Sequence, residues 1–320
     1  MKTVPVAICC SFILVLASSA SLPAQNAGQQ QQPAQQQQPA QQQQPEFVRQ
    51  GQQLIRQGKP EEALQLYRKT LETSPESFPA NMAAGSVLDL MGKGEEARKY
   101  FAKVIARADT PEHKAGAQRA LAISYAFEKN CQKAIEAEQQ VFDFYGNAKD
   151  FFQQGEIADE VARICLDSGN LDAAQNWYKI GHDTGLKEPD IKPARQDLWD
   201  FRWEHAQARI AARRGQPAEA QKHVAAAKAI IDKGTNPEQA QFVPYLEGYV
   251  AFYAGDYQKS VQNLLKANQN DPFIQCLTGQ IYEKLGDKDK AKEYYGKAAN
   301  ASGHNPPAAY AVPFARKKLS

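Results

Sequence analysis

The amino-acid sequence predicts an all-α fold, a solenoid of about seven helix-turn-helix pairs finished by a C-terminal capping helix. Three observations carry that prediction. Apolar residues recur with the helical period, as in Leu64, Tyr67 and Leu71 or Val261, Leu264 and Leu265. No segment shows sustained strand-like alternation. One gapless frame also recurs seven times: a small residue, a turn residue seven positions later, and a second small residue five positions after that.

Composition bounds the rest. A chain of 320 residues can hold two average domains or one elongated array. Lys and Arg total 38 against 36 for Asp and Glu, so the chain lacks the basic excess of a nucleic-acid binder, and no nucleic-acid partner is expected.

Along the chain, residues 1–24 read as a secretory signal peptide: Lys2, an apolar run from Val4 to Ala17, then small residues, with cleavage after Ala20 or Ala24. The run is shorter than the roughly 20 residues a spanning helix needs, so no stable membrane span is expected after cleavage. Cys9 and Cys10 lie early in that run, after Ile8, which argues against a lipid anchor. Cys131, Cys165 and Cys276 are widely spaced, with no CxxC; they read as small core hydrophobes, and the sequence leaves their pairing open. Residues 25–45 form a Gln/Pro-rich linker, a glutamine hexad repeated three times from residue 29, with too little apolar content to offset ordering entropy. It is expected to be a disordered spacer, because prolines every six residues interrupt glutamine-driven β-pairing.

The solenoid is expected over residues 46–303. The first small residues of the frame are Gly51, Gly85, Ala122, Ala162, Ala208, Gly248 and Gly279. The turn residues are Gly58, Gly92, Lys129, Gly169, Gly215, Gly255 and Gly286, and the second small residues Ala63, Ala97, Ala134, Ala174, Ala220, Ser260 and Ala291. Gly51 costs its helix about 1 kcal/mol against alanine. Close approach of the antiparallel partner helix explains why it is tolerated.

Phe47, Gly51, Leu54, Ala63, Tyr67 and Pro75 in the first unit, Gly85, Leu88, Ala97 and Phe101 in the second, and Gly279, Tyr282, Ala291 and Tyr295 in the last resemble the tetratricopeptide repeat pattern. The resemblance implies a right-handed superhelix whose first helices line a concave groove for protein or peptide partners. It is similar in particular to exported bacterial members of that family. Successive units depart from the family length, at spacings of 34, 37, 40, 46, 40 and 31. The longest interval holds Pro189, Pro193 and an extended helix to Arg214. In that helix the family's buried positions fall on Glu204 and Gln207, while Trp199, Trp203, Ala206 and Ile210 form the better apolar stripe, so the register there has two readings. Residues 304–320, with Pro307 and Pro313 suited to helix starts, are expected to cap the open end of the stack.

Chemistry-bearing motifs are lacking. There is no G-x-S-x-G, P-loop, G-x-G-x-x-G or H-E-x-x-H, and the five histidines are scattered through different units. No catalytic residue set, metal site or cofactor is expected. Carboxylate pairs such as Glu61 with Glu62 open second helices, where they complement the helix dipole.

The lysine and asparagine clamp by which the best-known peptide-binding family members hold a terminal carboxylate is missing: the equivalent positions hold Val48 with Gln52, Met82 with Ser86, and Arg119 with Ile123. Later units place Asp159 with Arg163, His205 with Arg209, and Tyr245 with Tyr249 there, flanked by Arg202, Arg213 and Tyr253. Arg163, Arg202, His205, Arg209, Tyr245, Tyr249 and Tyr253 are therefore the candidate groove residues, suited to an acidic ligand because arginine forks carboxylates and aromatic faces stack. The alternative is that the arginines flank a core that the aromatics fill. Together these readings describe an exported, non-enzymatic scaffold for protein or peptide partners in the periplasm or cell envelope, with the medium as the other destination. A cell-wall glycan or peptidoglycan-associated factor, or an accessory subunit of an envelope enzyme, is the competing reading.

Overall fold

The computed structural model describes residues 44–320. The signal peptide reading (1–24) and all but the last two residues of the linker reading (25–45) lie outside the described residues. Fifteen α-helices follow, with no strand among the described residues. Seven antiparallel pairs come first: α1 (Glu46–Arg56) with α2 (Pro60–Thr73), α3 (Phe78–Leu90) with α4 (Gly94–Arg107), α5 (Pro111–Phe127) with α6 (Cys131–Asn147), and α7 (Phe151–Ser168) with α8 (Leu171–Gly185). Then come α9 (Pro193–Arg213) with α10 (Pro217–Ile231), α11 (Val243–Tyr253) with α12 (Tyr257–Leu264), and α13 (Pro272–Lys284) with α14 (Lys288–Ala299). The last helix is α15 (Pro306–Leu319). Each pair packs on the next, so the architecture is an all-α repeat solenoid.

The repeating frame has a physical basis at all three of its positions. Every turn residue has positive φ, from +57° at Lys129 to +91° at Gly169, the left-handed conformation that ends a helix and reverses the chain. All seven second small residues are buried. Opposite each first small residue sits the side chain sixteen positions later on the partner helix: Tyr67, Phe101, Glu138, Tyr178, Val224, Leu264 and Tyr295, all buried. A Cβ built on Gly51 would stand 2.0 Å from the Tyr67 hydroxyl oxygen and 2.2 Å from its Cζ. Gly51 is required because the hydroxyl end of the Tyr67 ring lies against its backbone.

Asn130, Asp150, Asn170, Asp256 and Asp287 follow or lie near the reversing residue, and each side chain accepts from the backbone N–H three residues on. A capping bond of this type is worth about 1 kcal/mol. Cys131, the first residue of α6, is joined by a disulfide to Cys165 in α7, linking the third pair to the fourth. Cys276 is free and buried.

The two registers of the long helix are each realised in part: Gln207 is buried but Glu204 half-buried, and in the other stripe Trp203 is half-buried. Gly215 reverses the chain and Ala208 and Ala220 are buried as the frame requires, yet Trp199, Ala206 and Ile210 are buried too. Helix α9 is packed on two sides because it is 21 residues long. Its first turns reach past the frame, and Trp199 enters a slot between α7 and α8 lined by Gly155 and Gly185.

Helix α15 does more than cover the end of the stack. It packs on α13 and α14, and it also crosses to α3, α5 and α7. Ala308, Ala309 and Val312 join the core of the first three pairs, whereas Ala311 and Ala315 join that of the last pair. No helix among the described residues is long and apolar enough to cross a membrane.

Candidate functional site

The candidate residues stand on the first helices of the fourth to sixth pairs: Arg163 on α7, Arg202, His205 and Arg209 on α9, and Tyr245, Tyr249 and Tyr253 on α11. Six of them gather in one network. The His205 ring stacks on Tyr245 with centroids 5.6 Å apart; Tyr245 meets Tyr249 at 5.8 Å, and Tyr249 meets Tyr253 at 4.8 Å. Arg209 Nη2 donates to the Tyr178 hydroxyl at 2.9 Å. Arg163 Nε donates to Asp167 Oδ2 at 2.6 Å, and its guanidinium lies 4.4 Å from the ring centroid of Phe273, which also contacts Tyr245 and Tyr249. Arg202 is set apart: it pairs with Glu156 and lies over the Trp199 indole at 4.9 Å.

Burial divides the set. Arg209, Tyr245 and Tyr249 are buried, at 5%, 8% and 0% exposure, so the open arginine and tyrosine wall read from the sequence is corrected to a packed floor between the first helices. The cause is bulk, because the rings on α11 fill the space between α9 and α13. Arg163, Arg202, His205 and Tyr253 are half-buried and keep an edge at the surface, as does Arg213, whose guanidinium lies 5.3 Å from the Tyr253 ring centroid. Arg163 Nη2, His205 Nε2 and the Tyr245 hydroxyl have no hydrogen-bond partner among the described residues.

Burial, then the Arg209 and Arg163 charges, holds the His205 imidazole well below its ordinary pKa of 6.5. Burial likewise raises the Asp159 carboxyl to about 7 and the Tyr178 phenol to about 12. With His205 neutral in the fold, the unfolded chain takes up the extra proton below pH 6.5, and stability present above that pH is lost as it falls. The expected slope from this one group is up to about 1.4 kcal/mol per pH unit. Thermal melts at pH 7.5 and 5.5 should show a larger acid loss for the wild type than for His205→Gln; equal losses would remove the imidazole from the account.

The first half of the inner face carries a different arrangement. His304, just before α15, meets the buried carboxylate of Asp89 on α3, with its Nε2 at 2.8 Å from Oδ2. Ser124 on α5 donates to the other oxygen of Asp89 at 2.8 Å. The His304 ring lies between Phe101 and Phe127, 5.5 and 5.6 Å away. At the far end of α15, Arg316 donates to the carbonyl of Leu90. Between them, Lys129 Nζ lies 5.6 Å from the Tyr310 ring centroid. The groove between α3, α5 and α7 is thus occupied by the chain's own last helix.

Two profiles of the tetratricopeptide repeat family match the chain, over residues 54–121 and 274–305, near the two ends of a stack whose frame is continuous between them. Both matched segments are tetratricopeptide repeats. A TPR repeat-containing protein of Methanocaldococcus jannaschii is 38% identical over 65 residues, so the match spans 20% of this chain and 20% of that curated relative. Among solved structures, a tetratricopeptide repeat protein of Parabacteroides merdae is similar over 85% of this chain and 98% of its own, at 12% identity and a TM-score of 0.44. The pilF protein of Pseudomonas aeruginosa is similar over 78% of this chain and 96% of its own, at 13% identity and a TM-score of 0.42.

As a tetratricopeptide repeat array the chain has the build of a protein-interaction scaffold, and its own residues must supply the selectivity. Sequence reading missed several. Asp167, which pairs with Arg163, was detectable as an oppositely charged residue four positions on in one helix. Phe273 and Tyr178 had no such signal, because their role depends on which helices become neighbours. No group of three or more His, Cys, Asp or Glu residues among the described residues is placed to hold a metal ion.

Proposed function

We propose that this tetratricopeptide repeat protein is an exported, non-enzymatic scaffold that binds protein or peptide partners in the cell envelope. The observation that carries the reading is the half-buried edge formed by Arg213 and Tyr253, where the Arg213 guanidinium lies 5.3 Å from the ring centroid. Such an edge suits an acidic side chain or terminal carboxylate of a peptide. It suits a sugar less well, since the flat faces a glycan would stack on belong to the buried Tyr245 and Tyr249. The disulfide between Cys131 and Cys165 supports export, because such bonds persist in oxidising compartments, and it agrees with the signal peptide reading of residues 1–24.

The test is in-cell crosslinking and affinity capture with the wild type beside an Arg213→Gln, Tyr253→Ala variant, after equal helicity and melting are established. Proteins held by the wild type and lost by the folded variant are the expected outcome. Partners retained equally by both would exclude this edge as the binding site. Co-sedimentation of the purified protein with cell-wall sacculi would instead favour the glycan reading.

A further inference from the structure

We propose that the mouth formed by the ends of α5, α7 and α9 with the side of α15 binds an acidic peptide segment, Lys129 and Arg213 each taking one carboxylate. This deepens the scaffold role above and rests on it, because it extends the Arg213 and Tyr253 edge to a second cation. The first observation is Lys129 itself. Six of the seven turns in the repeating frame reverse on glycine, and the third reverses on Lys129, held at φ +57°. In that conformation a Cβ crowds the following carbonyl oxygen, a strain that glycine lacks. The sister turns form without a lysine, so the turn does not explain this one.

Its surroundings supply the second observation. Lys129 is exposed and makes no ion pair among the described residues, while the neighbouring Glu128 is taken by Arg98. Its ammonium lies 5.6 Å from the ring centroid of Tyr310 on α15. Lys129, Asp167, Ser168 and Tyr310 line one cleft between α5, α7 and α15, with apolar walls from Ile164 and Ala309. The cleft holds about 10 Å³, room for a single water. Asp167 is 9% exposed and gives Oδ2 to Arg163, whereas its Oδ1 is buried with no partner among the described residues. One acceptor in the cleft wall therefore still needs a donor.

Arg213 stands at the rim. Gly169 follows Ser168, and a Cβ on Gly169 would lie 4.0 Å from Arg213 Nη2. Like Lys129, Arg213 has no ion pair among the described residues, and it too lies beside a ring, that of Tyr253 at 5.3 Å. The Asp167 charge acts on Arg213, Tyr253 and Tyr310, which ties rim and cleft into one site. Two cations without ion partners thus flank a lone acceptor. A peptide segment with two acidic side chains meets all three: its carboxylates face the ammonium and the guanidinium, and a backbone N–H between them reaches Asp167 Oδ1 through the one water the cleft admits. Sulfate brings the charge but no donor. The competing account is structural, a cation placed beyond the C-terminus of α5 to hold Tyr310.

The two accounts part at Lys129→Gly, which restores the residue of the sister turns. The experiment is isothermal titration calorimetry of the full chain with tetraglutamate blocked at both ends, and with tetraglutamine and sulfate as controls. Lys129→Gly should melt at or above the wild-type temperature yet bind tetraglutamate at least about tenfold more weakly, the loss of one charge-assisted contact. Arg213→Gln should lose a similar factor, Lys129→Arg should retain binding, and tetraglutamine should not bind. Equal affinity of the wild type and Lys129→Gly for tetraglutamate would overturn the proposal, as would a wild type that does not bind it. A lower melting temperature for Lys129→Gly would assign the lysine to holding α15 and overturn the proposal as well. Sulfate competing as strongly as tetraglutamate would overturn the peptide class. Binding lost in Arg213→Gln alone would remove Lys129 and leave the edge of the scaffold role standing, whereas capture of partners in cells judges that role whatever tetraglutamate does.

Discussion

Gly185→Ala is expected to destabilise the protein by roughly 3 kcal/mol or more, at the upper end of what overpacking costs. The reason is the position of Trp199, the largest fully buried side chain. A Cβ on Gly185 would stand 2.0 Å from the indole Cε2 and 2.3 Å from Nε1, and a Cβ on Gly155 would stand 2.6 Å from Cη2. The two glycines on α7 and α8 therefore leave the slot that this rigid plane fills. Phe152 lies 5.6 Å from it and the Arg202 guanidinium 4.9 Å, so neighbouring side chains pack on the ring as well. Trp199→Leu alone should cost about 3–5 kcal/mol through the cavity it leaves. In the Gly185→Ala background the same change should cost much less, because the smaller side chain makes room for the new methyl. A double-mutant cycle by urea denaturation checks this: coupling of about 2 kcal/mol is expected, and additive losses would mean that the methyl clashes with something other than the indole.

That slot also marks where sequence reading ends. The repeating frame was legible because each of its positions answers to one local or near-neighbour constraint: a left-handed turn at Gly58 or Gly92, and a small residue facing a helix only a few turns away. Seven recurrences made those constraints visible against chance. Trp199 departs from the frame, and its partners Gly155 and Gly185 are ordinary helical glycines until α9 is laid beside α7 and α8. The candidate residues on α9 and α11 were brought together for the same local reason, since they share one ladder of positions on successive first helices. Their burial was not legible, because it depends on how much volume the aromatic rings of α11 and Phe273 supply. Least legible of all was the seat of α15. Asp89 and His304 are 215 residues apart, and nothing near either residue announces the other. The alanines of α15 surround the helix rather than marking one face, which is the composition of a helix gripped on two sides, but that meaning appears only once both sides are known.

Glu138→Leu is expected to stabilise the protein at neutral pH, by about 1–4 kcal/mol, the range found when buried charge networks are replaced by apolar side chains. Glu138 on α6 stands sixteen residues after Ala122, the place that the six sister pairs fill with Tyr67, Phe101, Tyr178, Val224, Leu264 and Tyr295. It is fully buried, and neither of its oxygens has a donor among the described residues. Beside it, Glu160 on α7 is engaged by Arg119 on α5, whose Nε donates at 2.8 Å and whose Nη2 donates to the second oxygen. Burial, then the negative charge of Glu160, pushes the Glu138 carboxyl well above its ordinary pKa of 4.5, against a smaller opposing pull from Arg119. The folded chain therefore holds a proton that the unfolded chain releases above pH 4.5, so stability falls as pH rises through that window, by up to about 1.4 kcal/mol per pH unit for this group. Leucine removes that dependence and leaves the Arg119 and Glu160 pair intact. Its advantage in urea midpoint should be small at pH 4.5 and grow towards pH 7.5. An advantage that stays constant with pH would show that Glu138 is not the group holding the proton, and a less stable variant at pH 7.5 would show that Glu160 depends on Glu138 as its donor more than on Arg119.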